Sequence, residues 1–133
     1  MQDARPAFLN RLAAVTLTTG GVTADITRLT ITPPEDSWYF PRHPGLTRIV
    51  PQDALAAEIR DFVTEHHQLF VDGVRFGAWV NPDSQLCYLD LITWASSRRE
   101  AERLARRYGE EGGRQVVAIY NPVRGVTERL RDI

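Results

Sequence analysis

The amino-acid sequence predicts an α+β chain, and three observations carry that prediction. Two apolar, alternating segments flank a proline-containing turn within Val74–Ile92. Two other stretches repeat apolar residues at three- and four-residue steps, and short β-branched runs separate them. From Leu46 onward the order is strand, helix, strand, strand, helix, strand. That is the order of a split βαβ, ferredoxin-like antiparallel sheet with two helices on one face. Residues 1–45 precede it as an N-terminal extension with a β-hairpin, and the whole 133-residue chain is expected to form a single domain.

Within the extension, Pro6–Ala14 suits a short helix, and Ala14–Thr18 alternates like a strand. Gly20-Gly21 marks a turn, and Val22–Thr32 alternates again, which predicts a hairpin across the two glycines. Four prolines and Gly45 make residues 32–45 a loop, with Trp38, Tyr39 and Phe40 tucked against the core edge. In the core, Leu46–Val50 is a short strand stopped by Pro51. Asp53 is the expected N-cap of a helix over Ala54–Phe70, with Leu55, Ile59, Phe62, Val63, His66 and Phe70 on one face.

Val74–Val80 and Leu86–Ile92 are strands joined through Asn81-Pro82-Asp83-Ser84-Gln85. Ser97 and Glu100 form a capping box for a second helix, whose buried stripe is Ala101, Leu104, Ala105 and Tyr108 and whose closing residue is Gly109. Gln115–Tyr120 is the last core strand. Val123–Ile133 is a tail with one or two amphipathic turns.

The hairpin's register follows from which side can be buried. With Asn81 opposite Ser84, one side pairs Ala78 with Cys87, Phe76 with Leu89 and Val74 with Leu91, all apolar. The other side pairs Trp79 with Leu86, Gly77 with Tyr88 and Arg75 with Asp90. A slip of one residue would set Phe76 against Asp90. The outer side therefore carries Arg75, Trp79, Tyr88, Asp90 and Trp94, a mixed aromatic and charged contact surface unless residues 1–45 cover it.

Composition narrows the chemistry. Cys87 is the only cysteine, which excludes an intramolecular disulfide or a multi-cysteine zinc site, and it falls on the buried side of the hairpin. His66 and His67 are adjacent and diverge on a helix, so no metal site is expected; no cofactor motif is present either. No apolar run is long enough to span a bilayer, and the first twenty residues make a poor secretory signal, so the expected location is cytoplasmic.

All 16 basic residues are arginine, which points to a GC-rich genome. The net charge of −1 hides an asymmetry: residues 95–133 hold nine arginines against six acids. Arg99, Arg103 and Arg106 on the second helix are candidate anion-binding residues, although Glu102 also stands ready to pair with Arg106.

The segment FGAWVNPDSQLCYLDL, followed by SRREAERLARRYG, resembles a group of uncharacterised small α+β proteins of actinobacterial phages, prophages and mobile elements. Gly77, Trp79, Asn81, Pro82, Tyr88, Leu89 and Asp90 match the shared G-x-W-x-(D/N)-P and Y-L-D pattern. The group usually has glycine where this chain has Gln85. The resemblance spans roughly residues 46–120 and implies a mobile-element origin, in the host cell or associated with the virion, without implying an activity.

The leading functional expectation is a non-enzymatic binding or accessory protein. It would capture a protein partner through Arg75, Trp79, Tyr88, Asp90 and Trp94, with a homo-oligomer as one arrangement. A nucleic-acid-binding domain is the alternative, with Trp79, Tyr88 and Trp94 stacking on bases and the helix arginines on phosphates. A third is a small enzyme using Asp90 with Arg75.

Overall fold

Apolar residues at helical and alternating spacings dictate most of the elements, which are seen in a computed structural model that describes residues 3–130. In chain order these are α1 (Arg5–Thr19), β1 (Gly21–Asp25), β2 (Thr30–Ile31), β3 (Trp38–Pro41), β4 (Arg48–Val50), α2 (Leu55–Glu65), β5 (Arg75–Val80), β6 (Cys87–Ala95), α3 (Arg98–Gly112), β7 (Ala118–Asn121) and β8 (Val126–Arg129). The class is α+β, and the paired strands run antiparallel. Contacts divide the chain into two units. The first gathers the chain up to Thr32 with Arg48–Leu89, and the second gathers Pro33–Thr47 with the chain from Asp90 onward.

In the first unit, α1 extends five residues beyond the expected helix. Ala14–Thr18, read from its alternation as a strand, belongs to this helix. Phe8, Leu9, Leu12, Ala13 and Thr16 form its buried stripe. The β-branched threonines are accommodated because Thr16, Thr18 and Thr19 hydroxyls donate to the carbonyls four residues back, at 2.7–2.8 Å. Gly20 then takes φ +95°, and its amide donates to the Thr16 carbonyl, ending the helix. The hairpin therefore lies further on, between β1 and β2, with Leu29 at φ +54° in its turn.

β1 pairs along β5, setting Gly21 opposite Trp79 and Ala24 opposite Phe76. β4 pairs with the start of β6, setting Ile49 opposite Tyr88. The inner side of these strands buries Ala24, Val50, Phe76, Ala78, Cys87 and Leu89; α1 and α2 contribute Leu12, Leu55, Ile59, Phe62 and Val63 to the buried set. Removing that apolar area from water is the main stabilising contribution, about 1.5–3 kcal/mol for each large side chain.

The stripe expected of α2 is present, but the helix stops at Glu65. The His66 ring meets Phe62 edge-on at 4.9 Å, and a 3-10 turn over His67–Leu69 returns Phe70 to the core. Asp53 does not cap α2; it sits in the preceding 3-10 turn, Gln52–Ala54.

The β5–β6 register differs from expectation by two residues. The Asn81 amide donates to the Leu86 carbonyl, so Pro82–Gln85 form the turn and Trp79 stands opposite Tyr88. The pairs Trp79–Leu86, Gly77–Tyr88 and Arg75–Asp90 belong to a tighter turn that the chain does not adopt. A shift of two preserves which side each residue faces. The longer turn is held by Asn81 Oδ1, which accepts from the Asp83 amide at 2.9 Å, and it places Gln85 at φ +63°.

In the second unit, the expected aromatic loop is strand β3. Its prolines bracket it and do not interrupt it: only Pro41 lies in the strand, at its last position, and aromatic residues favour strands. β3 pairs with β6 through Tyr39 opposite Trp94, and with β7 through Tyr39 opposite Tyr120. The ferredoxin-like order would set β7 beside the strand equivalent to β4, so this pairing differs from the expected one.

Trp38, Phe40, Val116 and Ile119 form a core with Ala101 and Ala105 of α3. Ser97 Oγ accepts the Glu100 amide at 3.2 Å, as the capping box requires, while the Glu100 carboxylate turns to Arg103. Gly113, not Gly109, closes α3 at φ +69°. Gly109 is buried, where a Cβ would come within 3.2 Å of the Val116 amide. The expected helical tail is in part β8, paired with β7; residues 131–133 lie outside the described residues.

The left-handed backbone at Gln85 makes a stability prediction. Gln85→Val places a β-branched side chain at positive φ and lowers unfolding free energy by about 1–2 kcal/mol relative to Gln85→Gly. Urea denaturation of the two variants measures this difference.

Candidate functional site

On the outer side of the first unit, one cross-strand row runs Gly21, Trp79, Tyr88, Ile49. Each position follows from strand alternation: Ala78, Cys87 and Val50, next in sequence, point to the core. The Trp79 and Tyr88 rings lie 5.2 Å apart at 50°, a tilted aromatic pair. Trp79 is 44% exposed and Ile49 42%, while Tyr88 is half-buried between them. Gly21 has no side chain to cover the flank of the indole that faces β1. The N-terminal hairpin therefore extends the sheet edgewise and leaves this row open.

Arg75 occupies the first position of β5, on the same side as Trp79, and is half-buried. Sequence reasoning placed Trp79 and Tyr88 together on one side but missed Ile49, because the register of β4 depends on a partner distant in sequence. The alternation within Arg48-Ile49-Val50 is too short to show it.

The remaining expected contact residues, Asp90 and Trp94, belong to the second unit. Trp94 packs on Tyr39 with ring centroids 6.0 Å apart. Asp90 accepts a hydrogen bond from the Thr47 hydroxyl. Enclosure of its carboxyl pushes its pKa up to about 6, against the opposing effects of the Thr47 hydrogen bond and the Arg114 charge. A carboxyl with that pKa can hold or release a proton near neutrality.

The candidate anion-binding residues on α3 are largely matched by carboxylates. Arg103 bonds Glu100 at 2.6 Å and Arg106 bonds Glu102 at 3.1 Å, the i,i+4 pair the sequence suggests. Arg98 reaches Glu128 at 3.1 Å and Arg107 reaches Glu111 at 3.0 Å. Arg99 is exposed on the first turn. These exposed pairs contribute little stability, but they cancel much of the positive field that a phosphate would need.

Cys87 is fully buried, and burial raises its thiol pKa, so the side chain acts as a small hydrophobe. Among the described residues no group of three His, Cys, Asp or Glu side chains is placed to hold a metal ion, and no helix is long and apolar enough to cross a membrane. No protein-family model, curated protein or solved structure matches the chain.

An acid whose pKa is higher in the folded chain than its ordinary 3.8 binds its proton more tightly when folded. The stability this confers is complete below about pH 4 and is lost as pH rises through 6, a total of about 3 kcal/mol. Asp90→Asn removes the cost of ionising the carboxyl. The variant is expected to melt above the parent at pH 8, with the gap closing by pH 4. Thermal denaturation across that range measures the gap.

Proposed function

We propose that this chain is a non-enzymatic binding or accessory protein that captures a protein partner through the outer row of its first unit. The observation that carries this reading is the aromatic pair Trp79–Tyr88, open to solvent and flanked by exposed Ile49 on a sheet whose other side is the core. Tryptophan and tyrosine on a rigid strand bury large apolar area at small entropic cost, which is why they dominate binding hot spots. Arg75 lies on the same side, half-buried at the start of β5.

The reading retains the likeness of the hairpin and helix motifs to small proteins of actinobacterial phages and mobile elements, acting in the host cytoplasm or on the virion. In the same reading, β4, α2 and β5, with β6 between the two strands, represent the split half of a ferredoxin-like sheet; the pairing of β6 with both strands supports it.

A second reading, single-stranded nucleic-acid binding, draws on Tyr120 of the second unit, which is 44% exposed beside the buried Tyr39 and the half-buried Trp94. It ranks below the first because the α3 arginines are mostly paired with glutamates.

Trp79→Ala combined with Tyr88→Ala is expected to weaken partner capture from a candidate host by more than about tenfold, while the circular dichroism and melting profile stay close to the parent. Undiminished capture by the folded double mutant removes the first reading. Salt-sensitive binding of single-stranded DNA or RNA that survives the double mutation and is lost in Tyr120→Ala supports the second.

A further inference from the structure

The second unit contains an open cleft of about 360 Å³, lined by Arg42, His43, Gly45, Leu46, Tyr108, Glu111 and Gly112. Its geometry is set by an aromatic stack. The Arg42 guanidinium carbon lies 4.0 Å from the Tyr108 ring centroid, and Tyr108 stacks on Phe40 at 6.1 Å and 27°. Phe40 is buried in the core, and Arg42 directly follows β3, two positions on from Phe40, so both meet the same α3 side chain.

A guanidinium held face-on to an aromatic ring loses its conformational freedom while the N–H donors in its plane remain available. Among the described residues Arg42 makes no side-chain hydrogen bond or ion pair. The α3 residues Arg98, Arg103, Arg106 and Arg107 all have a glutamate within 3.1 Å. The one carboxylate lining the cleft, Glu111, is engaged by Arg107 at 3.0 Å.

One wall is backbone. A Cβ at Gly45 would lie 2.5 Å from the Gly112 carbonyl oxygen, and one at Gly112 would lie 3.2 Å from the Gly45 amide nitrogen. The cleft thus combines a rigid, unmatched cation with a side-chain-free wall and an apolar contribution from Leu46. We propose that it binds a small organic oxyanion, the carboxylate or phosphate gripped by the in-plane edge of Arg42 and the organic part resting against Leu46.

The test is titration of the full chain with benzoate, phenyl phosphate and inorganic phosphate, followed by amide NMR. Saturable shifts at Gly45 and Gly112 are expected for benzoate or phenyl phosphate, with a dissociation constant on the order of 1 mM. The two organic probes distinguish a carboxylate from a phosphate ligand. Arg42→Gln should abolish the shifts. Arg42→Lys, which keeps the charge without the stacked fork, should weaken binding at least about fivefold.

If Arg42→Gln loses the parent's amide dispersion, Arg42→Lys carries the comparison. The proposal is overturned by the absence of saturable shifts with either organic probe, by shifts that persist in the folded variant, or by shifts spread evenly along the α3 arginines. Inorganic phosphate binding as tightly as phenyl phosphate would remove the organic part of the ligand.

Discussion

Strand alternation across β5 and the start of β6 is the constraint on which the first unit depends. Phe76, Ala78, Cys87 and Leu89 must leave water together, and strand alternation sets all four on one side of the sheet. Once those four point inward, Trp79 and Tyr88 have no choice but to point outward. Their exposure is therefore a consequence of core formation, and the cost of leaving an indole half in water is tolerated at the same place where the backbone is most firmly fixed. A contact surface built this way is stiff, and stiffness reduces the entropy lost when something binds.

The second unit solves the same problem with different materials. The positions its helix buries fully are small, Ala101, Ala105 and Gly109, while Leu104 and Tyr108 pack half-buried against the same core. Small residues let α3 approach the sheet closely, so the bulk of the core comes from Trp38 and Phe40 on β3. That close approach brings Tyr108 against Phe40 and places the Gly112 backbone against Gly45. Charge on the outer side of α3 is balanced locally, at three- and four-residue spacings, as expected of a solvated helix face.

Much of this was legible in the sequence wherever neighbouring residues decide the outcome. The alternation of β5 and β6, the apolar stripe of α2, the Ser97 cap and the burial of Cys87 are all local patterns, and the structure contains each of them. The failures share a different cause. Ala14–Thr18 alternates, yet its threonines bond back to the preceding helical turn, and Leu12 and Thr16 find a core that only the folded chain provides. Trp38–Pro41 looked like a loop because of its prolines, but pairing on both edges depends on β6 and β7, distant in sequence. The two-residue register error arose because both registers bury the same side, so hydrophobicity could not choose between them; the Asn81 turn did. In the candidate site, Trp79 and Tyr88 could be seen in advance, whereas Ile49 and the Arg42–Tyr108 stack are products of tertiary pairing.

The chain's only cysteine sits at the first position of β6, with no exposed surface and a raised pKa. A thiol in that state does not react with an alkylating reagent until the strand that holds it separates from its neighbours. Cys87 can therefore serve as an internal clock. The rate at which the intact protein is alkylated reports how often the first unit opens, with no label to attach and no competing thiol to subtract.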